Sequence, residues 1–377
     1  MAFSTKSLGM KPTTLVEKLE VLSAQQAVLR HETHRAQTGE GIVRAQMGGA
    51  LIEALVARQT AQAARDDAIV ARYRDNAKPF ARPDRRNRLR AGLERILNRL
   101  GFLGQRLILL RSGLWRPGSV IPLLDQTWYL ARYPDAAESR LPALVHYLLI
   151  GAKLNYWPHP LFDAGYYGQT QAQALAATGL TPLEHFVRVG AGQGCNPHPL
   201  FDVAHYVAAL PQLAATGENP LLHFLRVGGQ TGAHQLFQPQ YYQAQLPAGE
   251  PCDNPLLHYL AGGFARAFKP HPLFDPSWYL ATYPQIEGHE PLSHFVVHAA
   301  DQLTDPGPWF DTEHYLRTRG AGRLPHLDPL SDYLSGGAWS SSEPQAGLNR
   351  IGYLAAHADL AALGVTPLEY WARQAQA

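Results

Sequence analysis

The chain has 377 residues, 46% of them apolar, a net charge of only +2 and two cysteines. Such a chain can bury a substantial core, and Cys195 and Cys252, far apart and outside any CxxC or Cys/His spacing, argue against a disulfide framework and a structural metal. No stretch approaches the roughly 18 apolar residues of a membrane span, and the opening MAFSTKSLGMKPTTLVEKLE lacks a signal-peptide core. The expected location is the cytoplasm, with the periphery of the inner membrane as the alternative.

Residues 1–76 read as a helical or coiled-coil segment. Leu15, Leu19, Leu22 and Leu29 keep a 4-3 spacing, with Gln26 as the polar seam position. Thr38-Gly39-Glu40-Gly41 interrupts this seam, and Val43, Met47, Leu51 and Leu55 continue a helical stripe that fades into Ala-rich sequence. A helical hairpin or an oligomerising stalk fits equally, so self-association is one expectation.

Residues 77–117 begin with a Pro-punctuated linker and continue as an Arg-rich amphipathic helix. Leu89, Leu93, Ile96, Leu100, Leu103, Leu107, Leu110 and Leu114 form one apolar row. Ten Lys or Arg against Asp84 and Glu94 give Lys78–Arg111 a charge of +8, leaving about −6 for the rest. Arg85, Arg86, Arg88, Arg90, Arg95, Arg99, Arg106 and Arg111 are therefore candidates for binding an acidic protein partner or an anionic membrane surface. No nucleic-acid motif accompanies them, so nucleic acid is not an expected partner.

Residues 118–377 repeat one phrase seven times, starting at Leu124-Asp125, Phe162-Asp163, Phe201-Asp202, Phe237-Gln238, Phe274-Asp275, Phe310-Asp311 and Leu348-Asn349. The spacings of 38, 39, 36, 37, 36 and 38 residues signal stacked repeats. The Asp or Asn of six of these starts is placed to cap a helix, and in all seven a core tyrosine follows four residues on. A second helix opens at Thr181-Pro182, Asn219-Pro220, Asn254-Pro255, Asp328-Pro329 and Thr366-Pro367. It is expected to close at Gly151, Gly190, Gly228, Gly263 or Gly337 through a left-handed conformation. The fold class expected is all-α: an N-terminal coiled-coil or helical segment, then an α-solenoid of about seven two-helix repeats joined by extended connections, the last unit acting as a cap.

His-Pro-Leu-Phe-Asp at His159–Asp163, His198–Asp202 and His271–Asp275, followed by Pro-Leu-x-His-Phe/Tyr and a glycine, resembles a bacterial short helical repeat. Repeats of this kind are found beside glycosyltransferase domains in proteins of exopolysaccharide, capsule and O-antigen loci. The resemblance covers about residues 121–377 and implies an association with envelope polysaccharide synthesis, with glycosyltransferases or polysaccharide-export proteins as partners. It implies no catalytic role for the repeat, and no α/β pattern for nucleotide-sugar binding occurs in the chain.

Several recurrent side chains invite chemistry. His146, His185, His223, His258 and His294 lie a whole repeat apart, roughly 10 Å for ordinary helix packing. They cannot share an ion that needs nitrogens at about 2 Å, and each is expected to bond the neighbouring unit's backbone. His159, His198, His234 and His271 fall in connecting turns and are candidates for a surface ladder of imidazoles. Trp128, Trp157, Trp278 and Trp309 are candidates for stacking on sugar rings, against the plainer reading of core packing. The Asp series is explained by capping, since Asn349 keeps the cap without an acid. No catalytic residue, metal or cofactor is expected. The functional expectation is a non-catalytic scaffold or adaptor, with a carbohydrate-binding module or an auxiliary glycosyltransferase subunit as alternatives.

Overall fold

The computed structural model of the protein describes residues 50–76, 123–139, 141–286, 288–340, 342–345, 348 and 350–374. The Leu15–Leu29 seam, the leucine row and the eight candidate arginines lie outside the described residues. Among the described residues the regular elements are helices, and the β-type pairings are bridges within tight turns. These residues form two bodies, one of 56–348 and 366–374 and a smaller one of 50–55 and 350–365.

The larger body holds the first six repeat units, and unit 2 shows how each is made. Asp163 has extended backbone, and its carboxylate accepts the Tyr166 N–H at 2.8 Å to start the helix Ala164–Thr170. Asp125, Asp202, Asp275 and Asp311 do the same in their units. A second helix opens at Pro182, where the Glu184 carboxylate accepts from both the N–H and the hydroxyl of Thr181, at 3.2 and 3.1 Å. Unit 5 uses Glu290, which has no place among the expected caps; it accepts from the N–H groups of Leu292 and Ser293 at 2.7 and 2.6 Å.

Between these two helices the chain is not simply extended. A short helix intervenes at Pro134–Glu138, Ala172–Thr178 and Pro211–Thr216, and single 3-10 turns stand at Pro284–Ile286 and Gly320–Gly322. In unit 2 the segment AQALAAT consists mainly of strong helix formers, and Gly179 ends it in the left-handed region at φ 66°.

Aromatic rings fill each unit. Phe162, Tyr167 and Phe186 have centroids 5.5 to 5.8 Å apart, with Tyr167 edge-on to Phe186. The same triple recurs as Phe201–Tyr206–Phe224, Phe237–Tyr242–Tyr259, Phe274–Tyr279–Phe295 and Phe310–Tyr315–Tyr333. All of these rings are buried, each stabilising the fold by about 2 kcal/mol.

The His-Pro-Leu-Phe phrase is a tight turn in which the Phe162 N–H donates to His159 O at 2.9 Å, with Pro160 at the position that suits its fixed φ. Leu161 points into the core beside Phe162. The next residue, the capping Asp, ties its unit to the following one. The N–H groups of Asp125, Asp163, Asp202, Gln238, Asp275 and Asp311 donate to the carbonyls of Pro158, Pro197, Ala233, Pro270, Pro306 and Pro344, all at 2.8 to 3.0 Å. Each acceptor stands five residues before the next unit's cap position, so one bond fixes the register of successive units.

The glycines that follow the second helix act differently from expectation. Gly228 is left-handed at φ 78°, but Gly151, Gly190, Gly263 and Gly337 are not. At those four a Cβ atom would overlap the hydroxyl of Tyr129, Tyr167, Tyr242 or Tyr315. Glycine is required there because a tyrosine tip rests on its Cα. The left-handed residue comes four positions later, at Asn155, Gly194, Ala267 and, in unit 5, Leu303.

In the smaller body the seventh unit's helices Arg350–Ala356 and Ala358–Ala362 are present, and the Tyr353 hydroxyl donates to Val365 O at 2.9 Å. Its Pro-initiated helix, Pro367–Gln374, belongs to the larger body and leaves Trp371 exposed.

Gly190→Ala is expected to destabilise the protein by about 1–3 kcal/mol through overpacking. Gly168→Ala, in a helix with open space around it, should be neutral or stabilising by up to about 1 kcal/mol. Adding Tyr167→Phe to Gly190→Ala should recover part of the loss, as read from urea unfolding of the four proteins.

Candidate functional site

The most chemically suggestive groups converge on the tyrosine of each first helix. Its hydroxyl meets Nδ1 of the histidine in the same unit's second helix: Tyr129–His146 at 2.8 Å, Tyr167–His185 at 2.7 Å, Tyr206–His223 at 2.8 Å, Tyr242–His258 at 2.7 Å and Tyr279–His294 at 2.9 Å. The expected bond to a neighbouring unit's backbone is therefore replaced by a clasp inside the unit. A buried tyrosine needs a partner for its hydroxyl, and the histidine lies 15 to 18 residues away in sequence. Sequence reading carried one signal for this pairing: both residues recur once in each of the first five units.

A carboxylate extends the clasp in two units. His258 Nε2 lies 2.9 Å from Glu250 Oε1, and Glu250 is also held by both terminal nitrogens of Arg266. His146 Nε2 lies 3.7 Å from Asp135 Oδ2. The order Tyr–His–acid mimics a nucleophile, base and orienting group. The tyrosines have no exposed surface, however, and burial, before any neighbouring charge, pushes their hydroxyls well above the ordinary phenol value. A hydroxyl that no substrate reaches, and that holds its proton firmly, is a structural post.

Unit 6 replaces the histidine with Asp332, which is fully buried. It accepts from the Tyr315 hydroxyl at 2.5 Å, from Arg319 Nε at 2.9 Å and from the Leu324 N–H at 2.9 Å. Arg319 supplies the charge that a buried carboxylate needs, and Gln171 stands at its position in unit 2.

The turn histidines are not a surface ladder. His159, His198, His234 and His271 are all buried, and Nδ1 of each accepts the N–H of the leucine two residues on, at 3.0 to 3.1 Å. Burial pushes His159 and His234 down to about 4 and His198 down to about 3, with His159 and His234 adding repulsion at His198. These neutral rings lock the turns.

Trp128, Trp157, Trp278 and Trp309 are half-buried. Trp128 and Trp278 are edge-on to Tyr133 and Tyr283, Trp157 is edge-on to His198, and Lys269 Nζ lies 5.7 Å from the Trp309 ring centre. They occupy three different positions of the repeat, so the period does not align them into one row.

The helix of residues 50–76 lies against the units of the larger body over its 56–76 portion. The Tyr73 hydroxyl donates to Glu218 O at 3.3 Å, and Asn76 Nδ2 donates to Ala214 O at 3.0 Å. The Arg74 guanidinium lies beside Gly194, and Gln59 lies against Gly336 of unit 6. Val70 and Tyr73 are buried, while Arg58, Arg65 and Arg72 stay exposed. Among the described residues no three His, Cys, Asp or Glu side chains converge on a metal position, and no helix is long and apolar enough to cross a membrane.

Two outcomes are expected. Asp332→His should cost about 3 kcal/mol because Arg319 loses its counter-charge, and adding Arg319→Gln should restore much of that in urea unfolding. The turn histidines set the second. Above about pH 6.5 both folded and unfolded imidazoles are neutral; as pH falls from there toward 4, the unfolded chain binds protons that the folded turns refuse, so stability declines through that window. Asp328, its carboxyl pushed up by burial to about 6, titrates in the opposite sense. The readout is thus a difference: melting temperature should fall less steeply between pH 6.5 and 4 in His198→Asn, whose amide can still accept the turn N–H, than in the wild type.

Comparison of the chain with protein-family models, curated proteins and solved structures finds no match.

Proposed function

We propose that the protein is a non-catalytic scaffold or adaptor of bacterial envelope polysaccharide synthesis, whose repeat units stack as an α-solenoid and bind protein partners. The observation that carries this reading is the seating of helix 56–76 on the units. Its bonds run from side chains to the carbonyls of Ala214 and Glu218, and it touches units far apart in sequence. A surface that accepts one helix in this way suits recognition of helical segments from partners. The clasps, turn histidines and caps are occupied in holding the units, which supports a binding role over a catalytic one.

The resemblance of the His-Pro-Leu-Phe-Asp phrase to repeats that accompany glycosyltransferases supplies the partner class: glycosyltransferases or polysaccharide-export proteins. The eight arginines Arg85, Arg86, Arg88, Arg90, Arg95, Arg99, Arg106 and Arg111 would dock an acidic partner surface or anionic lipid, placing the scaffold in the cytoplasm at the inner membrane. The N-terminal leucine seam would supply self-association.

The test is cross-linking of the tagged full-length chain in its native cells, purification, and mass spectrometry with the linked residues mapped. Glycosyltransferases or export proteins should be enriched, with links on the repeat units and the arginine segment. Recovery of the chain alone, or with glycan only, overturns the scaffold. Quenching of tryptophan fluorescence by an oligosaccharide would then assign a carbohydrate-binding role to Trp128, Trp157, Trp278 and Trp309.

A further inference from the structure

Unit 5 sets a second histidine beside that of its clasp. Its second helix runs unbroken over Pro291–Gln302, and His298 follows His294 by one turn, with the two rings 4.9 Å apart. His298 is exposed and His294 half-buried.

The outer edge of the clasp also differs. In units 4 and 1 a carboxylate, Glu250 or Asp135, faces the histidine Nε2. In unit 5 the ring beside His294 is that of His298. The inner edge differs too. The Tyr279 hydroxyl has a second partner, Thr304 Oγ1, at 3.0 Å beside its 2.9 Å contact with His294 Nδ1. Counted back from the next unit's cap, Tyr156, Cys195, Thr231 and Phe268 stand at the position of Thr304 in units 1 to 4, and of these Cys195 is hydrogen-bonded to the tyrosine of its unit, Tyr167. When Thr304 accepts the tyrosine proton, Nδ1 of His294 carries its own proton and donates it to the tyrosine oxygen, and the Nε2 lone pair is then free for a ligand. A metal-binding histidine characteristically donates its other N–H to an oxygen in this way.

The spacing fits a shared ion. With a metal–nitrogen distance of about 2.0–2.1 Å, each ring centre sits about 3.2 Å from the metal, so two imidazoles on one tetrahedral ion have centres roughly 5 Å apart. Two histidines at i and i+4 also form the helical half of a known zinc-binding pattern. We propose that His294 and His298 bind a divalent transition-metal ion, Zn2+ in the first place, through their Nε2 atoms, with Tyr279 and Thr304 holding the proton on His294 Nδ1. Because no three ligands converge among the described residues, water completes the coordination, and the site is open rather than a closed structural centre.

The experiment is isothermal titration of the full chain with ZnCl2 near neutral pH, comparing wild type, His298→Ala, Thr304→Val and, as a control at another exposed histidine, His326→Ala. Circular dichroism confirms that each variant is folded. His298→Ala should lose one equivalent of bound zinc and His326→Ala should not, while Thr304→Val should keep the equivalent with affinity lowered by about 10-fold or more. Superimposable isotherms for wild type and His298→Ala, or a loss shared equally by His326→Ala, overturn the site. A loss in His298→Ala with unchanged affinity in Thr304→Val overturns the role given to Tyr279 and Thr304.

Discussion

A tyrosine hydroxyl buried at the centre of each unit is the constraint on which much of the remaining structure depends. The ring is needed to fill the space between two short helices, and the hydroxyl it carries must then find a partner away from water. In five units that partner is the histidine of the second helix, and in the sixth it is Asp332. The choice propagates. Asp332 requires Arg319, and the hydroxyl's position against the end of the second helix leaves room only for glycine at Gly151, Gly190, Gly263 and Gly337. Tyrosine, histidine and glycine thus form one device drawn from three separate stretches of the unit.

The units are joined by a second, simpler device. The capping Asp of units 1, 2, 3, 5 and 6 uses its side chain to start its own helix and its backbone N–H to hold the carbonyl that precedes the next unit's turn, while Gln238 of unit 4 makes only the backbone bond. Because the bond falls at the same place in the six units of the larger body, the spacing between caps can vary from 36 to 39 residues without loss of register; the differences fall between the two main helices except in unit 3, which is shorter after its second helix. Tyr259 adds a further tie, donating to Glu290 of unit 5 at 2.6 Å. Such nearest-neighbour coupling is what allows repeat proteins to extend surface without redesigning a core. Against it, helix 56–76 makes contacts of another kind, linking units 2, 3 and 6 that no single period would bring under one helix.

Much of the local structure was legible in the chain. The caps Asp125, Asp163, Asp202, Asp275 and Asp311, the Pro-initiated second helices and the aromatic core positions all follow from residue type and spacing, because capping and amphipathic periodicity act over one or two turns. Glu290 escaped because glutamate is not a favoured cap, and the helix Ala172–Thr178 escaped because its Ala-rich sequence offers no apolar stripe to mark it.

The roles of the histidines and glycines were not legible. Burial of His198 depends on what surrounds its turn, and the need for glycine at Gly190 comes from Tyr167, a residue on another helix. By itself the sequence determined the repeat, its helical class and the residues that begin each helix, since these rest on contacts within a few residues along the chain. Only the tertiary structure decided which polar groups face one another, which imidazoles are held neutral and which helix lies on the units, because those outcomes depend on contacts between segments that the sequence keeps apart and on the water those contacts exclude.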